Sequence, residues 1–195
     1  MKTVIIKYNA GNVQSVMYAL DRLGADYLYT DDESEIRSAD KVIFPGVGEA
    51  STTMAYLREK KLDLLIPSLK QPVFGTCVGM QLMCRYSEEN DTTCMGIFDV
   101  DVKRFPVIPG VKVPHMGWNN ITGYQTELTE SLPDNAYVYF VHSYAAPVCA
   151  ETVAVCDYIH PFSAMLKKDN FYAAQFHCEI SGAAGQKIIE NFLNI

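Results

Sequence analysis

The sequence lacks any excess of basic residues: 16 Lys and Arg stand against 23 Asp and Glu, for a formal net charge of -7. An acidic chain without a basic run cannot neutralise a phosphate backbone, so nucleic acid is not an expected partner. It also lacks an apolar run of membrane-spanning length. The opening stretch, MKTVIIKYNAGN, holds only Val4 to Ile6 before Lys7, too short for a signal-peptide core, so a cytoplasmic protein is expected. The six cysteines (Cys77, Cys84, Cys94, Cys149, Cys156 and Cys178) contain no C-x-x-C pair and no Cys/His spacing of a zinc site. Neither a metal nor a disulfide framework is expected, and most of the thiols read as small buried apolar groups. Internal repeats, low-complexity linkers and composition breaks are missing as well, which leaves 195 residues to form one domain. A chain of that length buries roughly 70% of its unfolded surface and needs no cross-link to stay folded.

What is present alternates short β-branched runs with helical patterns. Thr3 to Tyr8 reads as a strand, and Val13, Val16, Met17, Leu20 and Leu23 then repeat at helical spacing, with Asn12 as N-cap and Gly24 as stop. Tyr27 to Thr30, Lys41 to Phe44 and Pro72 to Gly75 are further strands. Between them lie a weak helical pattern around Glu33 to Ser38 and two short helices around Thr52 to Lys60 and Leu62 to Leu69; a helix over Val78 to Tyr86 follows the fourth strand directly. Such alternation implies right-handed βαβ crossovers and a mostly parallel sheet covered on both faces. Beyond about residue 95 strands dominate: Ile97 to Phe105, Tyr137 to Tyr144, Thr152 to Tyr158, Ser163 to Leu166 and Phe171 to Phe176, before a last helix over Gly185 to Leu193. The fold class is therefore α/β, an open, mostly parallel sheet flanked by helices with antiparallel strands added in the C-terminal half.

The chemistry concentrates in Gly75-Thr76-Cys77-Val78-Gly79, between an apolar strand and a helix with no loop between them. Small residues two before and two after a nucleophile permit the sharp turn that lifts its side chain above the sheet. At a helix N-terminus the dipole and free N–H groups favour the thiolate, which is the nucleophilic form. The alternative is a buried Cys beside two packing glycines. A second segment, Gln175-Phe176-His177-Cys178-Glu179, ends the Phe171 strand, and on an extended segment His177 and Glu179 project to the same side. Glu179 would hold the imidazole and His177 would carry the proton of Cys77, giving a Cys-His-Glu triad. A third segment, Phe44-Pro45-Gly46-Val47-Gly48, is a glycine-flanked turn able to aim an oxyanion donor beside that of Val78.

Together these segments, with Gly11-Asn12-Val13, Ser15-Val16, Pro114-His115-Met116-Gly117-Trp118-Asn119 and Phe140-Val141-His142-Ser143-Tyr144, resemble the triad (class I) glutamine amidotransferases over nearly the whole chain. Within that family the resemblance is closest to the glutaminase subunits of imidazole glycerol phosphate synthase. It implies a flavodoxin-like core and the hydrolysis of glutamine to glutamate and ammonia through a thioester on Cys77. It further implies Val47, Gly48 and Val78 at the oxyanion, and Gln81, Glu89, Ser143 and Tyr144 around the substrate's amino-acid end with Gly46 beneath. The implied partner is a (β/α)₈-barrel cyclase subunit in a heterodimer. That partner would use the ammonia on a ribotide to make imidazole glycerol phosphate in histidine biosynthesis. Asn12, His115, Met116 and Trp118 would face it, and no cofactor is implied.

The chain departs from the family's His-Pro-Glu-Lys-Ser segment, reading His177-Cys178-Glu179-Ile180-Ser181 instead. The turn loses a rigid proline, and Ile180 removes a charge that the family commonly turns towards its partner. Two other readings of the residues stand beside this one: a stand-alone cysteine hydrolase of similar fold, and a non-catalytic subunit that has kept the fold.

Overall fold

The computed structural model describes residues 2–8, 13–124 and 126–195. Its short apolar runs form β1 (Thr3–Ile6), β2 (Tyr27–Thr30), β3 (Lys41–Phe44) and β4 (Val73–Thr76). Between them lie α1 (Gln14–Arg22), α2 (Glu33–Arg37), and the pair α3 (Ala50–Glu59) and α4 (Leu62–Ser68). The chain continues through α5 (Val78–Met83), β5 (Cys84–Ser87), β6 (Thr92–Thr93), β7 (Phe98–Arg104), β8 (His115–Asn120) and β9 (Tyr137–His142). It ends with β10 (Tyr144–Ala145), β11 (Thr152–Asp157), β12 (Pro161–Lys168), β13 (Phe171–Ala174) and α6 (Gly182–Asn194).

Seven strands make the main sheet in the order β11-β12-β13-β4-β3-β1-β2. β2, β1, β3, β4 and β13 run parallel, while β12 and β11 are antiparallel additions. The apolar runs are continuous because both faces are covered. Val4, Ile6, Val42, Phe44 and Val73 face Met54, Leu57, Leu65 and Ile66 of α3 and α4. The intervening Ile5, Ile43 and Phe74 face Leu20 of α1 and Ile188 and Phe192 of α6. Strand period two thus sorts each run into two cores.

Two elements differ from the sequence expectation. The helix after Cys77 stops at Met83 rather than Tyr86, because the next four residues form β5, which pairs with β7 and β6 in a second sheet. The segment containing Pro114 to Asn119, given no element from sequence, supplies β8, paired antiparallel with β9 from His115↔His142 to Asn120↔Tyr137. The expected cap at Asn12 lies outside the described residues; α1 begins after Val13, which makes no side-chain cap.

The topology leaves β3, β4 and β13 side by side and parallel, in register at Phe44↔Gly75 and Ala174↔Thr76. Whatever follows their C-terminal ends must converge, the usual place for a site in an open α/β sheet. The approach there is close: a Cβ built on Gly46 would lie 1.8 Å from Thr76 O, 2.2 Å from Gly79 N and 2.4 Å from Val78 N. Gly46→Ala should therefore cost about 3 kcal/mol or more by overpacking. Gly96→Ala, where a Cβ meets nothing within 4 Å and only the left-handed φ of +69° opposes it, should cost about 1–2 kcal/mol. Urea unfolding of the two variants checks this, and equal losses would contradict the close approach.

Candidate active site

Cys77 sits between the last residue of β4 and the first of α5 with φ 49° and ψ −112°, a strained backbone for an L-residue. The strain is held from three sides. The Cys77 N–H donates to Ala174 O of β13 at 2.8 Å. A Cβ at Gly79 would lie 2.3 Å from the Phe44 carbonyl oxygen, so that position admits only glycine, whereas one at Gly75 would lie 2.8 Å from Met83 Sδ, the movable end of a side chain. The sulfur lies 3.8 Å from Val141 O and 3.9 Å from Gln175 Nε2.

His177 follows β13 and is tied to β9: its N–H donates to Tyr139 O at 3.0 Å, and its carbonyl accepts from Ser181 Oγ at 2.6 Å. Ser181 Oγ in turn accepts from Tyr139 N–H at 2.9 Å. The ring Nδ1 meets Glu179 Oε1 at 2.8 Å. This pairing arises from a different geometry than the extended segment expected from sequence: Cys178–Ile180 form a 3-10 turn. Cys178 is buried by it, so the side chains at 177 and 179 still meet. Glu179 Oε2 is buried without a hydrogen-bond donor among the described residues, so the carboxylate's pairing is with the imidazole.

Burial is the largest single influence on His177 and opposes its charge. The hydrogen bonds and charges of Cys77 and Glu179 together outweigh it and raise the imidazole from 6.5 to about 10. At neutral pH His177 is an imidazolium beside the elbow sulfur, and with Nδ1–H on Glu179 it has Nε2–H to give. Burial raises four thiols and keeps them neutral: Cys84 and Cys178 well above the usual range, Cys94 and Cys156 up to about 12.

The elbow opens on a cavity of about 250 Å³, lined by Gly48, Cys77, Val78, Gln81, Glu89, Pro114, Val141, His142, Ser143 and Tyr144. That is below the ~300–1,000 Å³ of drug-sized sites and suits a single amino acid. Gln81 is buried, and its Nε2 donates to Tyr144 O at 2.9 Å and Gln175 Oε1 at 3.0 Å, leaving its amide oxygen for a ligand. Burial raises the carboxyl of Glu89, which accepts from Ala50 N–H at 2.8 Å. Gly46 lies under the elbow. Val78 N–H, first in α5, has no intrahelical acceptor. Val47 N–H is turned elsewhere, donating to the Tyr8 hydroxyl at 3.3 Å.

Of the four residues expected to face a partner, Asn12 lies outside the described residues. Met116 and Trp118 are 63% and 51% exposed, but His115 is only 3% exposed. The alternation of β8 turns it inward, where it stacks on Tyr158 and Phe140. Its Nδ1 lies 3.1 Å from His142 Nε2, and His142 Nδ1 lies 2.8 Å from Tyr144 O. Because a carbonyl only accepts, the protons are fixed: His142 Nδ1–H donates to Tyr144 O and His115 Nδ1–H donates to His142 Nε2. Asn119 Nδ2 donates to His115 Nε2 at 3.4 Å. Both rings are neutral, burial lowering His115 to about 4. Burial, helped by the charges of His115 and His177 and opposed by the Tyr144 bond, lowers His142 to about 3.

Tyr8, His142 and Gln175 were given no role from sequence. The one signal available for Tyr8 was its place at the end of a first parallel strand, whose neighbour ends in Pro45-Gly46. Among the described residues no group of three or more His, Cys, Asp or Glu is arranged to hold a metal ion, and no helix is long and apolar enough to cross a membrane.

A strained cysteine elbow with an imidazole-carboxylate pair, on a flavodoxin-like sheet, defines a class of thiol acyl-transfer enzymes. The family model for class-I glutamine amidotransferases matches residues 4–195, and the chain belongs to that family. It is 58% identical to "Imidazole glycerol phosphate synthase subunit HisH" of Bacteroides thetaiotaomicron and 45% identical to that of Escherichia coli K12, over 100% of each chain in both cases. Its branch of the family is thus the HisH subunits. Among solved structures, a glutamine amidotransferase superposes with a TM-score of 0.75 at 17% identity, covering 98% of this chain and 97% of that one. PurLQS from Thermotoga maritima gives 0.70 at 15%, covering 99% and 97%. At such identities these two likenesses speak for the fold.

Brief alkylation at limiting reagent and neutral pH should mark Cys77 ahead of the other thiols. Glu179→Gln, which lets His177 lose its proton below about 10, should slow that labelling near neutral pH while the rates converge at high pH. Peptide mass mapping reads both; first labelling at Cys94 or Cys149 would contradict the assignment.

Proposed function

We propose that the chain, as one domain over residues 1–195, is the glutaminase subunit of imidazole glycerol phosphate synthase. The observation that carries the chemistry is Cys77 on the wall of an amino-acid-sized cavity, with His177 charged and paired to Glu179 at 2.8 Å. The Cys77 thiolate attacks the γ-carboxamide carbon of glutamine, forming the C–S bond. The oxygen's developing charge is taken by Val78 N–H and, once its peptide has rotated, by Val47 N–H beside Gly48. His177 gives its proton to the amide nitrogen as the C–N bond breaks, so the leaving group is ammonia. Neutral His177 then draws a proton from water, which attacks the thioester; glutamate departs and the thiolate–imidazolium pair returns. Gln81, Glu89, Ser143 and Tyr144 hold the substrate's amino-acid end.

Ammonia released here is used elsewhere. This reading assigns it to a (β/α)₈-barrel cyclase partner in a cytoplasmic heterodimer, docked on the face that bears Met116 and Trp118. An exposed Trp on a sheet edge supports that reading, because a large aromatic left in water is typical of an interface anchor. Ile180, 45% exposed, presents an apolar side chain on the neighbouring turn.

Cys77→Ala should abolish glutamine-dependent turnover by the assembled complex while leaving turnover with ammonium salts within about twofold, since the thiolate step alone belongs to this chain. Assays with the two nitrogen sources in parallel separate the cases. Equal loss of both activities would show that Cys77 is structural.

A further inference from the structure

Tyr8 lies two residues beyond β1, and β1 neighbours β3, whose chain runs on into Pro45-Gly46-Val47-Gly48. The tyrosine is 4% exposed and its ring packs on Phe44 at 5.5 Å. Its hydroxyl donates to Pro45 O and accepts from Val47 N–H, at 3.3 Å in the second case. Burial pushes the phenol well above its ordinary range despite the opposing Val47 bond, so the hydroxyl keeps its proton and can fill both roles at once. Tyr8 does not line the cavity, whereas Gly48, the next residue after Val47, does. An N–H aimed at Tyr8 is therefore not aimed at the carbonyl of a substrate bound on Cys77.

We propose that Tyr8 is a positioning residue, a latch that holds the Val47 amide out of the oxyanion site and so slows glutamine hydrolysis by the subunit alone. The inference rests on the reading of Val47 as an oxyanion donor given above. The two arrangements differ by rotation of one peptide. That peptide joins Gly46 to Val47, so its rotation changes ψ at Gly46 and φ at Val47, and Gly46 carries no side chain to oppose the change. In the resting arrangement Val47 N–H is satisfied by Tyr8; in the other it is released to the oxyanion. A partner favours the second arrangement only by contacting the two differently, and the latch adds to what that contact must overcome.

Tyr8→Phe keeps the ring on Phe44 and removes the acceptor. A hydrogen bond of ordinary net strength shifts such a balance by roughly two- to tenfold. Glutamate release by the subunit alone should rise by that factor. The rate with the cyclase partner and its ribotide ligand should stay within about twofold, because there the amide has already left Tyr8. The Val47 amide resonance, followed in ¹⁵N-valine-labelled protein and assigned by its loss in Val47→Ile, should move in Tyr8→Phe while the other valine amides report an intact fold. An unmoved Val47 amide would overturn the latch itself and leave the oxyanion reading standing. A moved amide with an unchanged resting rate would overturn the proposal through that reading, since Val47 would then not be the donor. Equal falls in the resting and stimulated rates would reduce Tyr8 to a packing role and also overturn it.

Discussion

Two stretches of main chain touch at the foot of the nucleophile with no side chain between them. At Gly46 a Cβ would lie 1.8 Å from Thr76 O, and at Gly79 one would lie 2.3 Å from Phe44 O. This contact lets the ends of β3 and β4 share one small volume, which in the proposed mechanism puts the peptide groups at 47 and 78 on one side of the substrate oxygen. It also braces the φ of 49° at Cys77, a conformation that would relax if either neighbour withdrew. The third strand end, β13, enters through the Ala174 carbonyl that holds Cys77 N–H, and it carries His177 to the same edge. The proposed nucleophile, proton carrier and amide donors are therefore set by backbone packing more than by side-chain contacts.

A site whose oxyanion donors are main-chain amides can be switched by rotating a peptide, with no side chain moved. The structure has the Val47 amide on Tyr8. On the opposite wall the neutral His115–His142 pair ties the outward-facing strand β8 to Tyr144 O, which Gln81 also holds. β8 exposes Met116 and Trp118 on one side and buries His115 on the other. A partner pressing on that strand is then separated from the glutamine pocket by two imidazoles and one carbonyl.

Much of the fold was legible because both faces of the parallel sheet are buried: runs such as KVIF and VFGT have no competing polar signal, and the helices between them show their period. The elbow, the glycine turn and the His-Glu segment were legible as residue types: backbone within 2.4 Å of a Cβ at Gly46 or Gly79 calls for glycine, and the imidazole and carboxylate that meet are two residues apart. Local periodicity could not foresee that Cys84 to Ser87 would leave the helix for β5, as the decision lies with β7. Nor could it show that His177 and Glu179 meet across a 3-10 turn, or that His115 points inward while its neighbours do not. Tyr8, His142 and Gln175 were invisible for a further reason. Their partners, Val47, His115 and Gln81, are 27 to 94 positions away in sequence and become neighbours only once the strand order is known.

The central claim is a covalent γ-glutamyl thioester on Cys77. Acid-quenching the complex during glutamine turnover and mapping the adduct by peptide mass spectrometry tests it most directly. The account predicts one γ-glutamyl group on Cys77, lost in Cys77→Ala and accumulating in Glu179→Gln, where His177 draws a proton from water less well. Steady release of glutamate from a chain that never carries the adduct, or an adduct on another thiol, would contradict it.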